Sequence, residues 1–255
     1  MQFIDTHTHI YSEEFANDRH QIIHKAFDNS VYRMLLPNID EQSIEPMHEL
    51  CDAFPENIFP MMGLHPTSVG EGYEHTLSNM KPLLDSRKYI AIGEIGIDLY
   101  WDKTFAKEQK DALMQQFGWA IEYQLPVVIH SRDSLKEILA CIDEFNNPEL
   151  HGVFHCFTGS DSDAKEIISR GFLLGLGGVL TFKNSGLADQ IKDIGMEHLI
   201  LETDSPYLTP APHRGKRNES SYISLIAQKL AHTKGISIEE VAKITTNNAN
   251  KLFKI

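Results

Sequence analysis

Cysteine is scarce in this chain. Cys51, Cys141 and Cys156 are the only three in 255 residues, far apart and odd in number, with no Cys-x-x-Cys pair. That pattern excludes a disulfide framework and points to a reducing compartment. Long apolar runs are missing as well. No stretch approaches the roughly 20 residues that a membrane-spanning helix needs. The N-terminus lacks a basic segment followed by an apolar one, so no signal peptide is expected. Positive charge is in deficit, with a formal net charge of −13. A protein that wraps nucleic acid by bulk charge is usually basic, so any nucleic-acid role must rest on local positive charge or on bound metal ions. Low-complexity tracts, charge runs and linkers are absent. These absences set the expectation of a cytoplasmic protein with no membrane contact and no obligate protein partner.

What is present is core material in a regular rhythm. Hydrophobic residues make up 42% of the chain and charged residues 23%, an ordinary globular balance. Short apolar runs occur at 2–7, 31–37, 58–66, 89–98, 125–133, 152–159, 171–178 and 198–206. They are mostly non-alternating and rich in Ile, Val, Leu and Phe, as strands buried on both faces are. Between them lie helix-like stretches at 107–124, 134–145, 160–171, 220–235 and 237–253. Ser134 with Glu137, and Ser237 with a glutamate three residues on, read as capping boxes. Gly171 and Gly235 read as C-terminal stops. Strand–helix alternation predicts a parallel α/β sheet. Eight units in about 250 residues is the size of a (β/α)8 TIM barrel, with the active site at the C-terminal ends of the strands. A doubly wound open sheet is the alternative. Barrels of about 250 residues are routinely one domain, so residues 1–255 are expected to form one.

The unusual polar residues cluster at the trailing ends of these runs. His7 and His9 end the first ("DTHTH"), His65 the third ("GLHP"), and Glu94 and Asp98 the fourth ("GEIGID"). His130 and Arg132 end the fifth ("IHSRD"), His155 the sixth ("FHCF") and Asp204 the eighth ("ETDSP"). Each has a plain structural reading. A histidine in an apolar strand can be a hydrogen-bonded core residue, Glu94 can form a buried ion pair, and Asp204 can cap the next helix. All of them falling at one face of a barrel favours chemistry. Residues i and i+2 of a strand share a face, so His7 and His9 can grip one ion. Cys156 is expected to point to the opposite face as a core thiol. Asp5, deeper on the strand, is expected to orient a histidine ring.

Four histidines and two carboxylates suit Zn, Mn, Fe or Co better than Mg alone. They can also hold two ions with Glu94 as the bridge. Two ions about 3.5–4 Å apart clamp attacking and leaving oxygens and lower the pKa of bound water to near 7. The site would stay positive and favour an anionic substrate such as a phosphodiester. The stretch "HRGKRNE" at 213–219, with Arg214, Lys216 and Arg217, follows the eighth strand. Barrel phosphate sites are often built there; an exposed basic loop with no ligand is the plain reading.

Taken together, "DTHTH", "GLHP", "GEIGID", "PVVIHSRD", "HCFTGS", "ETDSPYLTP" and "HRGKRNE" resemble the TatD family of metal-dependent deoxyribonucleases, within the amidohydrolase superfamily. The resemblance runs from Asp5 to Glu219 in order. It implies a distorted (β/α)8 barrel and 3′–5′ exonuclease activity on DNA with two divalent ions, Mg, Mn or Zn. It further implies that His7, His9 and Asp204 hold one ion. Glu94 would bridge to a second, held by His130 and His155. Asp204 would orient or deprotonate the attacking water, and His65 and Arg214 would meet the substrate phosphate. Two departures stand out: Asn218-Glu219-Ser220 where the family reads Asn-Glu-Pro, and Gly96-Ile97-Asp98 where Gly-Leu-Asp is common.

Two other functions compete with a nuclease. One is a small-molecule amidohydrolase acting on a lactone, cyclic amide or phosphotriester. Many such barrels bridge their metals through a carboxylated lysine, whereas the fourth strand here offers Glu94, with Lys88 only at its start. The other is a non-catalytic metal-binding protein, which leaves the basic loop unexplained.

Overall fold

Two runs of parallel strands make up the wall. The computed structural model describes all residues, Met1–Ile255. Strands β1 (Phe3–Asp5), β2 (Val31–Leu36) and β3 (Ile58–Pro60) form a three-stranded sheet in that order. Strands β4 (Ile92–Asp98), β5 (Val127–Arg132), β6 (Gly152–Phe154), β7 (Phe172–Leu176) and β8 (Leu199–Leu201) form a second sheet, also in chain order. Every pairing is parallel. The two sheets are not continuous, but sparse backbone bonds span both seams. At one, Gly93 N donates to Met62 O at 2.9 Å. At the other, Thr6 N donates to Leu201 O at 3.1 Å and Asp204 N to His7 O at 2.9 Å. The architecture is a distorted (β/α)8 barrel, as the sequence predicts.

Alternation along the strands divides the core in two. Val128, Val153 and Ile200 point inward and cluster with Ile4, Leu35, Met61, Ile90 and Ala91. Their neighbours Val127, Ile129, Phe154 and Leu201 point outward into a larger cluster shared with the helices. This two-sided burial is why the strand sequences are continuously apolar. Two residues beyond Val128, Val153 and Ile200 on the inner face come His130, His155 and Glu202. The inner wall thus turns from hydrocarbon to imidazole and carboxylate over one pleat.

The covering helices are α1 (Arg19–Asp28), α2 (Glu41–Ala53), α3 (Tyr73–Met80), α4 (Ala106–Tyr123), α5 (Leu135–Phe145), α6 (Asp161–Ser169), α7 (Leu187–Gln190), α8 (Ile223–Lys234) and α9 (Ile238–Phe253). Helix α9 opens on a full capping box between Ser237 and Glu240, and α8 stops at Gly235 with φ 67°. Helix α9 also sends Ala249, Leu252 and Phe253 into the inner cluster. The capping box expected at Ser134 does not form. Its hydroxyl instead donates to Ile97 O at 2.5 Å and accepts from Arg132 N at 3.1 Å, tying the ends of β4 and β5.

Candidate metal centre

Glu94 stands at the middle of the site, buried near the start of β4. Asn38, at the end of β2, fixes its backbone: Glu94 N donates to Asn38 O at 3.1 Å and Asn38 N to Gly93 O at 3.1 Å. The two carboxylate oxygens face different neighbours. Oε2 lies 3.0 Å from His7 Nε2 and 3.7 Å from His9 Nε2. Oε1 lies 2.7 Å from His155 Nε2, 2.9 Å from His130 Nδ1 and 3.2 Å from His65 Nε2. Burial by itself would raise the pKa of Glu94, but His155, His65 and His7 and the hydrogen bond from His130 outweigh it and hold the group well below the usual carboxylate range. Asp204 closes the other side, with Oδ1 3.8 Å from His7 Nε2 and 3.6 Å from His9 Nε2. It too stays ionised despite burial, through its hydrogen bond to His9 and the nearby imidazoles.

The hydrogen bonds behind each ring decide what its front nitrogen offers. Tyr11 OH donates its one proton to Pro37 O at 2.6 Å and lies 3.0 Å from His9 Nδ1. His9 Nδ1 must therefore carry a proton and donate to the tyrosine oxygen, which leaves Nε2 with a free lone pair facing the centre. His130 works from the opposite nitrogen. Its Nε2 lies 2.9 Å from Asp98 Oδ2 and its Nδ1 2.9 Å from Glu94 Oε1. Burial alone would lower its pKa, but these two carboxylates outweigh it and raise it. With the Nε2 proton kept by Asp98, a cation would take the place of the proton that Nδ1 shares with Glu94. Asp98 stays ionised as its partner, with a pKa pushed down to about 2. Burial opposes that shift, and the hydrogen bonds from His130, Trp101 and Tyr100 override it. His155 Nδ1 lies 3.4 Å from Glu202 Oε1 but makes no hydrogen bond. His65 differs from His9 and His130. Thr67 N donates to its Nδ1 at 3.1 Å, so the neutral ring carries its proton on Nε2 and faces the site as a donor.

The donor set fits divalent cations. His7 with His9 and Glu94, and His7 with His155 and Asp204, each bring three ligand atoms within 4.8 Å of one another. His65 lies equally close to Glu94 and His130, but its protonated Nε2 leaves those two to face an ion there. His7 Nδ1 and Glu202 Oε2 are buried without a hydrogen-bond partner. The nitrogen-rich set with a central carboxylate suits borderline metals. The role of Asp98 is testable: Asp98→Asn should weaken metal binding about 10- to 100-fold, read by calorimetric titration. Unchanged affinity would show that its hold on His130 does not matter to the metal.

His7, His9, Glu94, His130, His155, Asp204 and His65 are thus brought together. Arg214 is not. It is exposed, lies over the Phe182 ring at 3.7 Å and donates to Thr209 O at 3.1 Å. Arg217 is engaged with Asp18. The cation that lines the cavity over the site, a space of about 810 Å3, is Arg132. Asn218, in the departing Asn-Glu-Ser segment, donates to Thr203 O at 2.7 Å and Tyr207 O at 2.6 Å, so this loop still braces the end of β8.

Two expectations need correction. Cys156 does not point away into the core. Strand β6 ends at Phe154, Cys156 turns with φ 48°, and its side chain lines the cavity. Asp5 does not orient a ring. Its oxygens accept from Thr203 N at 2.9 Å, Thr203 Oγ1 at 2.6 Å and His7 N at 3.4 Å, lacing β1 to the segment after β8. Burial raises its pKa to about 7, against the lowering effect of those bonds. Tyr11 carries no local signal in the sequence, because its link to Pro37 spans 26 residues.

Comparison with known proteins agrees with this geometry. The profile of the family described as TatD related DNase matches residues 4–254. The chain is 37% identical over 252 residues to the uncharacterized metal-dependent hydrolase YabD of Bacillus subtilis, covering 98% of both chains. It is 30% identical over 257 residues to the 3′-5′ ssDNA/RNA exonuclease TatD of Citrobacter rodentium, covering 98% of this chain and 97% of that one. The crystal structure of YjjV, a TatD homologue from Escherichia coli, superposes with a TM-score of 0.93 at 27% identity, covering 99% of this chain and 98% of that one. No helix here is long and apolar enough to cross a membrane. A distorted barrel, a histidine cage around one buried glutamate and a family match along nearly the whole sequence lead to one conclusion: this chain belongs to the TatD family of metal-dependent hydrolases.

Proposed function

We propose that the protein is a deoxyribonuclease that releases nucleotides from DNA in the 3′–5′ direction, using two divalent ions. The observation that carries this reading is the split environment of Glu94, with one oxygen toward His7 and His9 and the other toward His130 and His155. His7, His9 and Asp204 would hold one ion, His130 and His155 the other, and Glu94 would belong to both. When bound, such ions lower the pKa of their water from about 16 to about 7 and polarise a phosphoryl oxygen.

The protein's own groups supply the rest. Asp204, ionised and at the cavity wall, accepts the proton of the attacking water. His65, proton-bearing on Nε2, donates a hydrogen bond to a nonbridging phosphate oxygen rather than ligating metal. Arg132 sits in the wall where a phosphate can meet it. Arg214, held over Phe182 and by Thr209 O, would have to leave those contacts to reach the substrate. The name of the Citrobacter relative supports a nucleic-acid substrate for this chain.

Metal stripping tests the reading. The stripped protein should not release nucleotides from a DNA end, and Mg, Mn, Zn or Co added back separately should restore release with at least one ion. An ion at a hundredfold excess over its Kd should also stabilise the fold by about 2.7 kcal/mol, seen as a higher Tm. A Tm that responds to metal while no phosphodiester is cleaved under any ion would overturn the nuclease and leave a metal site.

A further inference from the structure

Exposed large apolar side chains are informative when they form a contiguous patch, and here they are concentrated. Apart from Met1, the exposed large hydrophobic residues are Tyr100 at 53%, Trp101 at 68%, Tyr207 at 50% and Leu208 at 37%. Trp101, Tyr207 and Leu208 line the same cavity as Glu94 and Asp204, and Tyr100 adjoins Trp101. The first two are also firmly held. Asp98 Oδ1 accepts from Tyr100 N at 2.9 Å and from Trp101 N at 3.2 Å, while its other oxygen holds His130. Asp98 N in turn donates to Gln109 Oε1 of α4 at 2.8 Å. The Arg132 guanidinium lies 3.9 Å from the Tyr100 ring centroid and 5.2 Å from that of Trp101. An aromatic ledge is thus built onto the residue that orients a ligand histidine.

From this the geometry points to Trp101, supported by Tyr100 and Arg132, as the platform on which an unpaired nucleobase of single-stranded DNA stacks while its neighbouring phosphodiester reaches the centre. This inference rests on the nuclease reading above. Charge argues for it. The chain carries −13 and Arg132 is the one arginine or lysine lining the cavity, so a polyanion is not held there by bulk attraction. Stacking supplies affinity without charge and tolerates any sequence, because every base has a π face. In a duplex each base is held by its partner and by at least one stacked neighbour and cannot splay onto a ring beside the centre, so the ledge favours an unpaired end.

The test uses the metal-loaded full chain and its own fluorescence. Trp101 is exposed and the only other tryptophan, Trp119, is buried, so quenching by a ligand reports Trp101. A hydrolysis-resistant phosphorothioate oligothymidylate should quench the emission, and the same backbone without bases should not. Trp101→Ala should raise KM for single-stranded DNA about tenfold, with the loss in KM rather than kcat, and Trp101→Phe should recover most of it. Equal binding of the base-free strand, or an unchanged KM in Trp101→Ala, overturns the ledge. Hydrolysis by the wild type with no quenching overturns the ledge and leaves the nuclease standing. Quenching with no hydrolysis under any metal supports the ledge as a binding site and overturns the nuclease.

Discussion

Glu94→Gln is expected to lower metal-dependent DNA hydrolysis by about a thousandfold or more. The substitution keeps the volume and removes the charge at the one position that faces both donor groups. Glutamine presents one carbonyl oxygen, so at most one side of the site keeps an oxygen ligand. Its amide nitrogen would point a donor at the other side, toward either His7 and His9 or His130 and His155. Titration with Mn or Zn should therefore show reduced stoichiometry as well as weaker binding. The fold should survive, because β4 is pinned at this point by backbone bonds to Asn38 that the side chain does not make. The Tm of the metal-free variant should stay close to that of the metal-free wild type. Full activity in Glu94→Gln would remove the central claim about this site.

Gly96→Ala should have the largest effect on stability. Gly96 sits on β4 opposite His130 of β5, with φ 153°, a region that L-residues avoid. A Cβ there would lie 2.0 Å from His130 O, 2.9 Å from its carbonyl carbon and 3.0 Å from its nitrogen. Those atoms are backbone of the neighbouring paired strand and have nowhere to go. The expected cost is about 4 kcal/mol or more, a fall in Tm of roughly 10 °C for a chain of this size. The displacement would also move His130, so residual folded protein should bind metal poorly. The same change at Gly118, where a Cβ meets nothing within 4 Å inside α4, should be neutral or slightly stabilising. Equal Tm values for the two variants would contradict this account.

The strands were legible because burial on both faces forces continuous apolar sequence, and helices α4, α5, α6, α8 and α9 because their sequences are periodic between clear stops. Helix α2 is not legible in the sequence. Pro46 lies inside it and reads as a break, yet the capping box between Asp40 and Ser43 starts the helix firmly enough to carry it through. The third apolar run was expected to reach residue 66, but β3 stops at Pro60. Past Met62 the chain turns to place His65 as the cap of a 3-10 turn at Pro66–Ser68. Within the site, strand ends gave the donor positions, since a parallel barrel gathers them at one face. They could not give the tautomers. Whether a histidine offers a lone pair or a proton depends on Tyr11, Asp98 and Thr67 behind it, contacts made by tertiary packing. Nor could they place Arg214, because nothing local says that the loop after β8 folds onto Phe182.

The broken wall bears on all of this. His7 and His9 follow β1 of the three-stranded sheet, whereas Glu94, His130, His155 and Asp204 belong to or follow strands of the five-stranded one. The centre therefore sits astride a joint. Within each sheet the ladder fixes distances rigidly, but the gap between the paired imidazoles of β1 and the carboxylate that faces them is set by how two curved plates dock along their edges. Donor spacing in this protein is a property of that hinge line, held by a few backbone bonds at each seam and by Asp5, whose carboxylate spans it.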